Sequence, residues 1–123
     1  ISTSAKYADL AEKYTTDQHY PVGTLMTIGG EAEATACEGE EICIGVISTK
    51  PAYLMNSDSE GQAVALVGRV PVRITGPVNK GDKVYIAQNG TASAVTVLGD
   101  MIGIALETND RHEETLVECI LKL

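Results

Sequence analysis

A chain of 123 residues is long enough for one domain with its own core, and its 17 acidic against 9 basic residues give a formal net charge of −8. That charge repels a phosphate backbone, so no nucleic-acid partner is expected. No apolar run approaches the roughly eighteen residues needed to cross a bilayer, and the segment Ile1 to Lys6 lacks the apolar centre of a secretory signal, so membrane insertion is not expected either.

The apolar residues are mainly Val, Ile, Leu and Ala, with 5 Tyr, no Phe and no Trp. Small branched side chains pack well on a pleated surface, which favours thin sheet layers. The first residue is Ile and not Met, which suggests a longer parent polypeptide or a cleaved product.

Two kinds of pattern meet at the turn Pro21-Val22-Gly23. Before it, Tyr7, Leu10, Ala11 and Tyr14 recur at helical spacing, opposite Asp9, Glu12 and Lys13. Residues 1–20 therefore form an N-terminal arm or a short helix, and residues 21–123 a single β domain. Thr24 to Ile28 and Ala32 to Cys37 flank Gly29-Gly30, a candidate hairpin. The acidic turn Glu38-Gly39-Glu40-Glu41 leads into a central strand, Ile42 to Ser48. Lys50 to Asn56 carries Pro51 near its start and runs into the polar loop Ser57 to Gly61. Ala63 to Val67 continues through Val70, Val72 and Ile74, with Arg69, Pro71 and Arg73 on the other face. Pro71 cannot donate a ladder hydrogen bond, which places that part at an edge or bulge.

Gly76-Pro77 and Lys80-Gly81-Asp82 are further turns. A strand Lys83 to Ala87 then meets the hairpin turn Asn89-Gly90, followed by Thr91 to Leu98, Met101 to Glu107 and Leu116 to Leu123. The fold class is mainly β: a small barrel or sandwich of about nine short strands after a short helical or extended segment.

Little catalytic chemistry is written in the chain. Cys37, Cys43 and Cys119 lack C-x-x-C spacing and lie in or beside apolar stretches, as small buried residues in a reducing compartment do. A Cys37–Cys43 bridge across the acidic turn stays open. His19 and His112 have no partnered spacing with the cysteines, so neither zinc nor any other cofactor is expected. Ser48 and Lys50 would share a strand face, and Asp9 and Glu12 would be neighbours on a helix, yet both pairs read more simply as solvated polar positions. The glycines at 29–30 and 99–103 lie between strands and do not open a helix, so they cradle no phosphate.

Several strings resemble the ends of tailed-phage tail-fibre and related virion structural proteins. They are Tyr7-Ala8-Asp9-Leu10-Ala11-Glu12, Tyr20-Pro21-Val22-Gly23-Thr24, Gly45 to Asn56 with its Pro-Ala-Tyr-Leu-Met-Asn, and Val64 to Val72 with its Gly-Arg-Val-Pro-Val. Lys80-Gly81-Asp82 and Ile102 to Glu107 follow in the same order. The Asp-x-Ala-Glu opening and the Gly-Arg-Val-Pro string are also similar, distantly, to the self-cleaving intramolecular chaperone domains that end some phage appendages. Lys50 stands where the fibre family is expected to carry Asn.

The resemblance implies a structural module of a virion, assembled in the host cytoplasm. It would act by association as a homo-oligomer, a trimer, alongside other virion proteins, and not as an enzyme. Tyr53, Leu54, Met55, Arg69 and Arg73 are the candidate contacts between copies. A capsid decoration protein and a self-cleaving chaperone domain are the alternatives.

Overall fold

A computed structural model describes residues 9–122, and among them there are ten strands and no helix. The strands are β1 (Asp9–Tyr14), β2 (Leu25–Ile28), β3 (Ala34–Ala36), β4 (Gly45–Ile47), β5 (Tyr53–Met55), β6 (Gln62–Ile74), β7 (Lys83–Ile86), β8 (Ala92–Ser93), β9 (Met101–Ala105) and β10 (Thr115–Leu121). The mainly-β reading of the sequence holds. Its aliphatic alternation needs no other period.

The 13-residue strand β6 organises the molecule. Its second half pairs with β10 on one side and, through Ile74, with β8, and the order β6-β8-β7-β9-β10 returns to β6. Those five strands close a barrel, which removes their free edges. Its first half carries β1 and β4, from which β2 and β3 extend, while β5 lies beyond β1.

The burial of β6 records this double duty. Val70, Val72 and Ile74 are buried and alternate with half-exposed Pro71 and Arg73, as a barrel wall requires. Ala63, Val64 and Ala65 are buried in succession because this half is covered on both faces. Between the halves the β1 register slips by one residue, passing over Leu66, and Gly68 takes φ of +105°. A residue without Cβ adopts that conformation at no steric cost, so the strand can turn from one layer into the other.

Two apolar cores follow. The larger gathers Val70, Val72, Ile74, Val84, Ile86, Ile102 and Val117 from the barrel strands and runs on into Leu25, Val46 and Ala65 beside it, together with all three cysteines. The smaller gathers Tyr20, Met26, Ala34, Ile47 and Val64 under β2 and β3. Each fully buried Val or Ile contributes about 1.5–3 kcal/mol, so many small side chains do the work that aromatic rings do elsewhere. The hydroxyl of Tyr20 is satisfied by Asp17, towards which it donates. The Tyr20 and Thr35 hydroxyls together hold the Asp17 carboxyl below its ordinary value.

Two expectations need correction. The helical alternative near the start does not form: Asp9–Tyr14 is strand β1, parallel to β5 and antiparallel to β6. Asp9 and Ala11 are buried on the face turned inward, a period of two that the apolar spacing had hidden. Tyr7 lies outside the described residues. Asp9 and Glu12 consequently stand on opposite faces. Residues 9–20 also belong to the domain, since Tyr20 sits in the smaller core.

Second, the strand expected at Thr91 to Leu98 shrinks to Ala92–Ser93. Ser93 Oγ accepts hydrogen bonds from the backbone N–H groups of Val95 and Thr96 at 3.1 and 3.0 Å. This local turn competes with the ladder. Pro71, expected at an edge or bulge, lies inside β6 at a place where, among the described residues, the strand is paired on one side only, opposite Glu118. Arg73 N–H donates to Gly23 O and Thr75 N–H to Ala92 O, both on the side away from β10. The N–H that Pro71 lacks would point to that same side, so the β10 ladder loses nothing.

The Asn89-Gly90 hairpin forms as the sequence predicts. Asn89 and Gly90 both take positive φ, and Gly90 is clamped between Cys37 O and Leu25 N–H by backbone hydrogen bonds of 2.7 and 2.8 Å.

Candidate association surface

Among the described residues β5 forms an outer margin of the sheet, with β1 as its one strand partner. Leu10 of β1 is in register with Tyr53 on one side and with Val67 of β6 on the other. Residues in register project to the same face, so Tyr53, Leu10 and Val67 form one row across three strands. Tyr53 is 67% exposed and Val67 51%, with Met55 partly exposed two residues further along β5. These large side chains form an apolar strip along the sheet margin.

The five residues singled out from the sequence do not all meet there. Tyr53 and Met55 lie in the strip, and Leu54 faces the other way, half-buried. Arg69 follows Val67 by two residues and pairs with Glu118 of its own chain, Nε to Oε1, at 3.0 Å. Arg73 lies at the far end of β6, and its Nε and Nη2 donate to the two oxygens of Glu114 at 2.8 and 2.7 Å. Its Nη1 donates to Thr24 Oγ1 at 2.9 Å. This fork holds the Glu114 carboxyl below its ordinary value. Arg73 therefore ties β6 to the chain leading into β10, whereas Arg69 remains largely exposed.

Leu10 and Val67 were not singled out in the sequence. Val67 reads there as the end of an apolar run, and only the slip past Leu66 turns it outward.

Ser48 and Lys50 do not share a strand face, because β4 ends at Ile47. Ser48 is buried and donates from Oγ to Asp9 Oδ2 at 2.8 Å, while the Ala52 N–H donates to Asp9 Oδ1 at 3.2 Å. Two donors thus satisfy a carboxylate that is 2% exposed. Beside them a cleft of about 290 Å³ is lined by Val22, Ser48, Thr49, Lys50, Pro71, Glu107, Leu116 and Glu118. Among the described residues no three His, Cys, Asp or Glu side chains gather as a metal site would need.

No known family profile matches the chain, and no curated protein does. The fold is nonetheless shared with solved structures. The crystal structure of the pre-mature bacteriophage phi29 gene product 12 superimposes with a TM-score of 0.75 at 17% identity, covering 96% of this chain and 22% of that one. The structure of the bacteriophage phi29 gene product 12 C-terminal fragment superimposes with a TM-score of 0.69 at 18% identity, covering 93% of this chain and 100% of the fragment. This chain thus spans about a fifth of the longer protein and the whole length of its C-terminal fragment.

Proposed function

We propose that the chain is an end module of a phage appendage or fibre, a structural domain that works by associating with copies of itself, as a homotrimer. The observation that carries this reading is the row Tyr53, Leu10 and Val67 at the β5 margin, in which Tyr53 and Val67 are exposed on either side of half-buried Leu10. β5 lies outside the closed barrel, and at its margin exposed apolar side chains stand in line on a sheet edge. The likeness in fold to a bacteriophage gene product and its C-terminal fragment supports a virion location. Association through a surface needs no cofactor, and none enters the proposal.

Replacing Tyr53 and Val67 by Glu places like charges of neighbouring copies together on an already acidic protein. The double variant should stay folded by circular dichroism and fall to the mass of a single chain in light scattering. A variant that keeps the parent mass would remove this strip from the interface. Labelling on intact particles separates the two locations: signal on tails or appendages agrees with the proposal, and signal on heads would favour a decoration protein instead.

A second reading, a self-processing domain, is favoured by the buried Asp9–Ser48 pair, a carboxylate and a hydroxyl in contact beside a cleft. A longer precursor would be expressed with Asp9→Ala or with Ser48→Ala, and its mature N-terminus sequenced. Unchanged cleavage in both variants excludes these residues from such a reaction.

A further inference from the structure

A closed ring of three copies needs two different surfaces on each chain, because contacts about a three-fold axis run head to tail and no patch meets its own image. The row at the β5 margin supplies one. Beyond that row and Met55, the large apolar side chains exposed among the described residues are Ile28, Ile42, Val95, Val97, Leu98 and Leu116. Ile28 lies on β2 and Leu116 on β10, whereas the other four belong to two segments that pack together. Ile42 is in the acidic turn that leaves β3, and Val95, Val97 and Leu98 are in the segment between β8 and β9. The two segments meet at Gly39, where an added Cβ would touch Leu98 Cβ at 3.5 Å.

This second face is held in one shape. Glu41 Oε1 accepts from the N–H groups of Glu38 and Gly39 at 2.9 and 2.8 Å, and Glu38 Oε1 accepts from Asn89 N–H at 3.1 Å. Little ordering is left to be lost on contact. Its position also suits a head-to-tail contact. Val64 pairs with β1 on one side and β4 on the other, so the strands around the first half of β6 run β5-β1-β6-β4-β2-β3. The acidic turn therefore leaves from the margin opposite β5.

Charge agrees. Lys50 and Arg69 lie at the same end of the Tyr53 row, since β5 is entered from Lys50 and β6, antiparallel to β1, runs on from Val67 to Arg69. Asp58 and Glu60 follow Met55 at the other end. Arg69 keeps 52% of its side chain exposed despite its bond to Glu118. On the second face Glu38 and Glu40 are exposed and Glu41 is half-buried. Opposite charges at the two margins fix which way round the copies meet.

We propose that the Tyr53 row of one copy seats on the Val95 to Leu98 segment of the next, with Lys50 and Arg69 facing the turn Glu38 to Glu41. The pairing rests on the trimer reading above and supplies its second surface.

The test uses the full chain in two double variants, each weighed by light scattering alone and then mixed in equal amounts. Tyr53→Glu with Val67→Glu spoils the row, and Ile42→Lys with Val97→Lys spoils the second face. All four side chains are at least half exposed, so both variants should keep the parent's circular dichroism. The expected result is a single-chain mass for each variant alone and a two-chain mass for the mixture. The intact face of the first receives the intact row of the second, and neither can extend further. Lys50→Glu, a single exposed change, should raise the concentration at which the parent dissociates by about tenfold. A second double variant that keeps the three-chain mass, a mixture that stays at one-chain mass, or no shift with Lys50→Glu would each overturn the pairing while leaving the trimer in place. A parent that is itself a single chain would overturn the trimer reading and the pairing with it.

Discussion

Ser48 donates its hydroxyl hydrogen to the buried Asp9 carboxylate at 2.8 Å, joining residues 39 positions apart in sequence. The contact ties the start of β1 to the end of β4 on opposite sides of β6. A carboxylate so deeply buried is tolerated only because its lone pairs are met.

Removing either partner should therefore cost stability. Asp9→Ala is expected to lose about 2–3 kcal/mol and Ser48→Ala about 1–2 kcal/mol in urea unfolding, because Ser48→Ala leaves a buried charge short of a donor. The double variant should lose less than the sum, by at least about 0.5 kcal/mol. Strict additivity would show that the two side chains do not depend on each other.

The Arg73–Glu114 fork gives a pH dependence with a definite sign. The Glu114 carboxyl titrates lower in the folded chain than when unfolded, chiefly through the hydrogen bonds from Arg73. Its stabilisation is present above the unfolded carboxylate value and lost as pH falls through the lower folded one. Glu114 is partly exposed, so the gap in stability between the parent and Glu114→Gln should be under about 1 kcal/mol near neutrality. Thermal melts at descending pH should show that gap closing, and a gap that widens in acid would contradict the assignment.

Two glycines with positive φ separate backbone strain from crowding. A Cβ on Gly90 would stand 2.5 Å from Thr24 Cγ2, whereas one on Gly81 would meet nothing within 4 Å. Gly81→Ala should cost about 1 kcal/mol from conformation alone, and Gly90→Ala about 2 kcal/mol or more. Equal losses in chemical denaturation would mean that the Asn89-Gly90 turn yields to the added methyl group.

The strands were legible where alternation was long or bounded by strong turns. Val70, Val72 and Ile74 showed an inward face directly, and Asn89-Gly90 marked the hairpin that joins β7 to β8. The ends were less legible for physical reasons. In β1 an apolar Leu10 faces outward and a charged Asp9 inward, so polarity and burial are exchanged, and the side chain that makes this possible, Ser48, is far away in sequence. The strand expected to run through Val97 is cut short by a hydroxyl two residues earlier than Val95. The row of side chains proposed for association was only partly visible in the sequence: Tyr53 and Met55 stand out as apolar residues in a polar context, but Leu10 and Val67 line up with Tyr53 only through register. Arginine pairing within the chain depends on β10 lying beside β6, which no local pattern reports.

The mass of the intact chain in solution, read by light scattering across a dilution series, tests self-association most directly. The proposal predicts the mass of three chains at high concentration, falling only on strong dilution or when Tyr53 and Val67 carry charge. A single-chain mass at every concentration up to the solubility limit would contradict it.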